Sequence, residues 1–272
     1  MYVKKMSDKE IDRLDVKVDQ ERIREKDRNT LKVIESVFDF QTSMLIVKLM
    51  NKGIIKDIGF CVSTGKEANV YHGIGYKGEE LAIKIYRTTT AEFKRNWMYV
   101  EGDPRFKGYK KGTYAFIYTW ARKEFKNLKR MNDAKIRVPV PITVDKNVLV
   151  MEFIGKKEKS APLIREAKLK KPHKIYGQII DFIFKLYDDA TMVHADLSEY
   201  NILFFNKKPV FIDVSQSVLI AHPYAPAFLY RDIQNINRYF SGLRVDVIQD
   251  EELYEEITGT VPNPKIMSME FM

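Results

Sequence analysis

The sequence predicts an α+β protein in two lobes, a β-rich N-lobe with one main helix followed by a helical C-lobe. Three observations predict this. Between Ile58 and Ile154 short apolar runs alternate with turn residues, the pattern of strands. One helical repeat, Ala121, Phe125, Leu128 and Met131, interrupts them. After Pro172 the spacing turns helical again, with Ile175, Ile179, Phe182, Ile183 and Leu186 on one stripe. With 272 residues and 45% apolar content, the chain can bury a core spanning both lobes.

In order, residues from about Asp8 to Lys52 read as helical segments; Leu31, Ile34, Val37 and Phe38 share a face, and Gly53 stops the run. Residues 1–53 are expected to form a helical extension packing on the N-lobe, 54–155 the N-lobe itself and 156–272 a reduced C-lobe. Ile58–Val62 and Val70–Ile74 read as two strands, and Glu80–Tyr86 follows the turn Gly75-Tyr76-Lys77-Gly78. Residues 88–112 form a basic insertion, expected to be flexible from Trp97 to Gly112. Val148–Met151 is a buried strand leading into Glu152-Phe153-Ile154-Gly155. The runs Ile202–Phe205 and Pro209–Ile212, joined at Asn206-Lys207-Lys208, read as a hairpin.

That hairpin returns Asp213 to the neighbourhood of Asn201. Upstream lies His194-Ala195-Asp196, so Asp196 precedes Asn201 by five positions and Asp213 closes an apolar strand. This is the order used by protein kinases, where the first Asp orients the attacking hydroxyl while the Asn and second Asp hold magnesium on ATP. A two-lobed protein-kinase-like fold follows as the expectation. Leu81-Ala82-Ile83-Lys84 is an apolar strand ending in a lysine suited to the α and β phosphates. Glu124 is the lone carboxylate of its helix and shares its inner face, so it is the expected partner of Lys84. Ser63-Thr64-Gly65-Lys66-Glu67-Ala68-Asn69-Val70 stands where a glycine-rich phosphate loop belongs. Only Gly65 and Val70 match that pattern; Ser63 and Ala68 replace the outer glycines, and a Ser63 or Thr64 hydroxyl can add a donor. At Glu152 and Ile154, main-chain groups are expected to bind the adenine edge. Asn201 and Asp213 supply oxygen to a hard cation, Mg2+ with Mn2+ as a substitute. Asp196, with an ordinary carboxylate pKa of about 3.9, is expected to act by positioning, and His194 to be structural.

Ser-Thr-Gly-Lys-Glu-Ala at 63–68, His-Ala-Asp-Leu-Ser-Glu-Tyr-Asn at 194–201 and Ile-Asp-Val-Ser-Gln at 212–216 resemble, in that order, the RIO family of atypical protein kinases. The stretch Ala221–Asn237 is similar to its type-one branch, and the resemblance covers about 57–240. It points to an archaeal origin. Departures from ordinary protein kinases are plain: Ala195 replaces the arginine of His-Arg-Asp, Asp213-Val214-Ser215 replaces Asp-Phe-Gly, and no Ala-Pro-Glu follows. About sixty residues follow Asp213, too few for an activation segment and peptide-docking helices. The resemblance implies ATP as ligand, serine kinase and ATPase activity, an aspartyl-phosphate on Asp213, and work in maturation of the small ribosomal subunit, with its precursor and rRNA as partners.

Charge is unevenly placed. From Lys84 to Lys135 there are 14 Lys plus Arg against 5 Asp plus Glu, a net +9 that equals the formal charge of the whole chain. Lys94, Arg95, Arg105, Lys107, Lys110 and Lys111 interleave with Trp97, Tyr99, Phe106, Tyr109 and Tyr114, which suits either an RNA-facing loop or a solvated insertion. Lys156–Lys174 is a second basic run, and the acidic tail Asp246–Glu270 reads as a packed or solvated helix. The single Cys61 excludes a disulfide framework, fits a reducing cytoplasmic compartment and reads as an apolar strand residue. No apolar run approaches the roughly 20 residues of a membrane span, and Met1-Tyr2-Val3-Lys4-Lys5 lacks a signal-peptide core. Two other classes remain open. A small-molecule kinase of the aminoglycoside or choline type also carries His-x-Asp-x-x-x-x-Asn but needs a larger C-lobe. A non-catalytic RNA-binding assembly factor would not need Lys84, Glu124, Asp196, Asn201 and Asp213 together.

Overall fold

A computed structural model describes residues 38–88, 96–106 and 113–267. The chain divides into two units, Met1–Ile58 with Ile74–Gly78, and Gly59–Gly73 with Glu79–Met272. In the first, helix α1 (Phe40–Asn51) starts at Asp39, whose carboxylate accepts from the Thr42 amide at 3.0 Å and the Thr42 hydroxyl at 2.8 Å. It ends before Gly53, whose φ of +71° provides the left-handed turn that closes a helix. The face built on Leu31, Ile34 and Val37 lies outside the described residues.

The N-lobe is a five-stranded sheet of β1 (Asp57–Thr64), β2 (Ala68–Ile74), β3 (Glu80–Tyr86), β4 (Pro141–Asp145) and β5 (Val148–Glu152), ordered β1-β2-β3-β5-β4. β3 lies antiparallel to β5, with Lys84 opposite Leu149. Helix α2 (Thr113–Asp133) extends beyond the Ala121–Met131 repeat read from the sequence, and Phe116, Ile117, Trp120, Ala121, Leu128 and Met131 on it are buried.

Cys61 is a strand residue on β1, as expected, and its side chain is exposed. One expectation about exposure is corrected. The segment 96–106 is not a loose loop: Tyr99 stacks on Phe228, Trp97 lies against Phe116, and Phe106 closes a short 3-10 turn, Pro104–Phe106. Tyr99 and Phe106 are buried in the core and Trp97 is half-buried against it, which withdraws these rings from the stacking on RNA bases expected of them, while Arg105 pairs with Asp103 at 2.6 Å. Tyr114 is exposed; Lys94, Arg95, Lys107, Tyr109, Lys110 and Lys111 lie outside the described residues.

Two short strands, β6 (Gly155–Lys156) and β7 (Lys159–Ser160), lead into the C-lobe. Helix α3 (Pro172–Asp188) buries the stripe read from sequence. Strands β8 (Met192–Val193), β9 (Ile202–Phe205), β10 (Lys208–Phe211) and β11 (Val218–Leu219) then carry the loops of the site. The β9–β10 hairpin pairs Ile202 with Phe211 and turns on Asn206 and Lys207, both at positive φ, as a tight two-residue hairpin demands. Helices α4 (Ala225–Gly242), α5 (Asp250–Thr258) and α6 (Pro264–Met267) complete the lobe. The acidic tail is thus a packed helix: Leu253, Tyr254 and Ile257 are buried, and Asp250, Glu251 and Glu252 sit at the N-terminus of α5, where the helix dipole favours negative charge.

Candidate active site

Lys84, on the last turnless stretch of β3, meets both expected carboxylates. Its Nζ donates to Glu124 at 2.9 and 2.8 Å and to Asp213 Oδ1 at 2.8 Å. Glu124 projects from α2 and also accepts from the Tyr86 hydroxyl, while Asp213 follows β10. Burial alone would lower the Lys84 pKa; Asp213 and Glu124 more than reverse this and hold it above the ordinary lysine range, so it stays charged. Lys84 in turn holds Asp213 below the usual carboxylate range, against burial. Burial pushes Glu124 upward, with Lys84 opposing.

Asp213 has a φ of +58°, a left-handed conformation that a non-glycine residue keeps only when its surroundings enforce it. The loop after it is clamped from α2. Asn127 Nδ2 donates to the Val214 carbonyl at 2.7 Å and to the Ser217 carbonyl at 2.9 Å; Lys123 Nζ donates to Ser215 O at 2.8 Å and also to Ser217 O. Lys123 is fully buried, which drives its pKa well below the lysine value, with Arg105 adding to the effect.

The second loop follows β8. Ala195 adopts a φ of +65°, fixed by Asp232 of α4: its Oδ2 accepts from Ala195 N at 2.7 Å and its Oδ1 from Leu197 N at 2.8 Å. The Arg231 guanidinium donates to Ala195 O, and Asn235 to Leu197 O at 3.1 Å. Between these anchored residues stands Asp196. Asn201 Nδ2 donates to its main-chain oxygen at 2.7 Å and its Oδ2 at 3.0 Å. The ordinary pKa expected for Asp196 is corrected: burial pushes it up to about 6, with Asp213 adding to the rise and Arg231 and Asn201 opposing it.

A cleft of about 770 Å³ runs between these groups and the sheet, lined by Ser63, Gly65, Lys66, Ala68, Val70, Lys84, Glu124, Glu152, Ile154, Asn201 and Asp213. Thr64 is exposed at the end of β1 and is not among the lining residues. At Gly65 the chain doubles back, its N–H donating to Ala68 O at 2.9 Å, and an added Cβ would sit 2.9 Å from that oxygen. At the other end Glu152 N–H donates to Val140 O at 2.8 Å and the Ile154 carbonyl accepts from Ala161 N–H at 2.9 Å. The Glu152 side chain points elsewhere, into a two-bond pair with Arg137, both contacts 2.7 Å.

The residues present fit a magnesium ion. Asn201 gives its amide hydrogens to Asp196, which leaves its carbonyl oxygen as a hard ligand, and the Asp213 side chain is 47% exposed. Among the described residues no cluster of three or more His, Cys, Asp or Glu could enclose a metal by itself. One carboxylate and one amide oxygen suit a cation completed by phosphate oxygens and water.

Sequence reasoning missed Lys123, Asn127, Arg231 and Asp232. The available signal was an Asp on the apolar face of α4, between Phe228 and Ile236.

The description of a RIO domain matches residues 69–253. The chain belongs to the RIO family. It is 45% identical over 245 residues to serine/threonine-protein kinase RIO1 of Homo sapiens, a match covering 88% of this chain and 43% of the human protein. It is 41% identical over 260 residues to RIO-type serine/threonine-protein kinase Rio1 of Haloferax volcanii, covering 93% of this chain and 88% of that one. The chain therefore spans less than half of the human relative and most of the archaeal one. Its fold is similar to Rio2 kinase from Chaetomium thermophilum in an ADP/Mg2+-phosphoaspartate complex, with a TM-score of 0.62 and 22% identity over 81% of this chain and 66% of that one. Lys84, Glu124, Asp196, Asn201, Asp213 and Asp232 all lie inside the RIO match; Ser63–Ala68 precede it. No helix among the described residues is long and apolar enough to cross a membrane.

Proposed function

We propose that this RIO-family chain is a magnesium-dependent phosphotransferase and ATP hydrolase, with serine kinase activity, that acts in the cytoplasm on small ribosomal subunit precursors and their rRNA. The observation that carries the catalytic part is the three-way meeting of Lys84, Glu124 and Asp213 beside the Asp196–Asn201 pair. Adenine lies against the Glu152 carbonyl and Ile154 N–H, and the loop around Gly65 covers the phosphates. Lys84, fixed by Glu124, neutralises phosphate charge. Asn201 and Asp213 would hold Mg2+, with Mn2+ as substitute, and the bound ion would offset charge on the phosphate oxygens. Asp196, raised towards neutrality, orients the nucleophile and accepts a proton late where that nucleophile is a serine hydroxyl or the water that cleaves the acyl phosphate. The ribosomal role rests on family resemblance, and the burial of Tyr99 and Phe106, with Trp97 half-buried, favours charge over stacking for any RNA contact.

Asp213 is the acceptor in this reading. Its Oδ1 is held by Lys84, and in this reading its other oxygen attacks. The new bond forms between that oxygen and the γ-phosphorus, the bond to the β–γ bridging oxygen breaks, and ADP leaves with the bridging oxygen. Water then cleaves the acyl phosphate and releases inorganic phosphate. The phosphoaspartate in the Chaetomium Rio2 complex supports the reading. Incubation with γ-labelled ATP should place label on Asp213 that hydroxylamine removes and that Asp213→Asn never acquires. Hydroxylamine-resistant label confined to Ser or Thr would leave a plain autophosphorylating kinase.

A further inference from the structure

The short run Ser63–Val70 contains a carboxylate that the chemistry above does not use. Glu67 is half-buried in the wall of the cleft, and each of its oxygens is engaged: Oε1 accepts from Asn96 Nδ2 at 2.6 Å and Oε2 from Trp120 Nε1 at 3.2 Å. Its main-chain carbonyl also accepts from Arg87 N–H at 2.9 Å, just beyond β3. Trp120 is fully buried and stands one helical turn before Glu124 on α2. The same face of one helix therefore holds the phosphate loop through Trp120 and the phosphate lysine through Glu124.

A loop with glycine at only one of three customary positions has less freedom to settle on a ligand, so its placement must come from elsewhere. Side-chain anchoring supplies it. Burial raises the Glu67 pKa, the Asn96 bond lowers it, and Asp213 and Lys84 act on it in opposite senses, so this carboxylate lies within the field of the site. We infer that Glu67 is a positioning residue that fixes the phosphate loop to α2 through Trp120 and Asn96, and so sets affinity for the phosphates of ATP rather than for its base. The inference rests on the ATP reading above.

The test compares equilibrium binding of Mg-ATP and of adenosine to wild type, Glu67→Ala, Glu67→Gln and Trp120→Phe, with melting temperatures recorded for each. Glu67→Ala and Trp120→Phe should each weaken Mg-ATP binding about tenfold, the factor one such hydrogen bond carries, with adenosine affinity unchanged. Glu67→Gln should recover most of the loss, because its amide oxygen accepts from Trp120 and its nitrogen donates to a flipped Asn96. If Glu67→Ala does not fold, Trp120→Phe, which keeps the ring stack with Phe116, decides alone. Equal losses for adenosine and Mg-ATP, no loss for Mg-ATP, or a Gln variant as weak as the Ala variant would each overturn the inference. A wild type that binds Mg-ATP without turning it over overturns the functional reading alone. One that does not bind it overturns both.

Discussion

Asn201 turns its amide nitrogen onto Asp196, 2.7 Å from the main-chain oxygen and 3.0 Å from the carboxylate. On the proposed function, one side chain would orient the residue that handles the nucleophile and present its own oxygen to the cation. Asp196→Asn preserves shape and the main-chain bond but removes the proton acceptor. Turnover should fall by about 10²- to 10⁴-fold, with Mg-ATP affinity little changed. Single-turnover rates beside a nucleotide titration check this; an unaltered rate would remove Asp196 from the chemistry.

Lys84→Ala deletes the only cation that Glu124 and Asp213 share in the described contacts. On the proposed function, phosphate clamping is tied to the group being transferred, whereas the main chain at Glu152 and Ile154 would hold the base. Turnover should drop by about 10²- to 10³-fold, the range for removing one preorganised electrostatic contact. Adenosine affinity should hold. An equal loss in adenosine affinity would place Lys84 away from the phosphates.

The residues with reacting roles were legible because their order and local spacing encode them. Asp196 and Asn201 are five residues apart on one loop, and the β9–β10 register, fixed by the two-residue turn at Asn206 and Lys207, brings Asp213 back to them. The residues that hold these groups were not legible. Lys123 reaches carbonyls about 90 positions away, and Asp232 braces a loop 35 to 37 positions earlier. Nothing local distinguishes Lys123 from its neighbours Arg122 and Lys126, which belong to the same basic run. The 96–106 segment misled for a related reason: alternating basic and aromatic residues read as a nucleic-acid surface, but the rings found partners on α2 and α4.

His194 offers a pH test of its structural role. Burial lowers its pKa from 6.5 to about 4, a shift that Asp213 opposes. The unfolded chain takes up a proton below pH 6.5 while the folded chain resists until about 4, so this contribution to stability is present above 6.5 and lost as pH falls towards 4. The slope approaches about 1.4 kcal/mol per pH unit. Asp196 and Asp232, both raised, change stability in the opposite sense as pH rises through about 6 and 7. The difference between wild type and His194→Gln isolates the histidine: the wild type should lose stability relative to the variant between pH 6.5 and 4 in denaturant titrations. A pH-independent difference would mean that His194 takes up its proton as readily in the fold as in the unfolded chain.

Asp232 tests whether strain in the loop before Asp196 matters to turnover. Its two oxygens each take one amide, Ala195 N and Leu197 N, and Ala195 keeps its φ of +65° between them. Burial pushes the carboxyl up to about 7, while the two amides and Arg231 favour the ionised form that accepts both bonds. Asp232→Asn has the same volume but offers one oxygen and one NH2 group, so one main-chain N–H must face another donor. A buried donor left unsatisfied costs about 1 to 3 kcal/mol, and stability should fall by that amount. Ala195 would then relax towards an ordinary conformation and carry Asp196 off its position, which should slow turnover by about 10²-fold. Mg-ATP affinity should stay near the wild-type value, because Lys84 and the strand end at Glu152 have no bond to Asp232. Denaturation, nucleotide titration and single-turnover rates on one preparation separate these effects. A folded variant that is less stable yet turns over at the wild-type rate would show that Asp232 supports the fold without setting the geometry of Asp196.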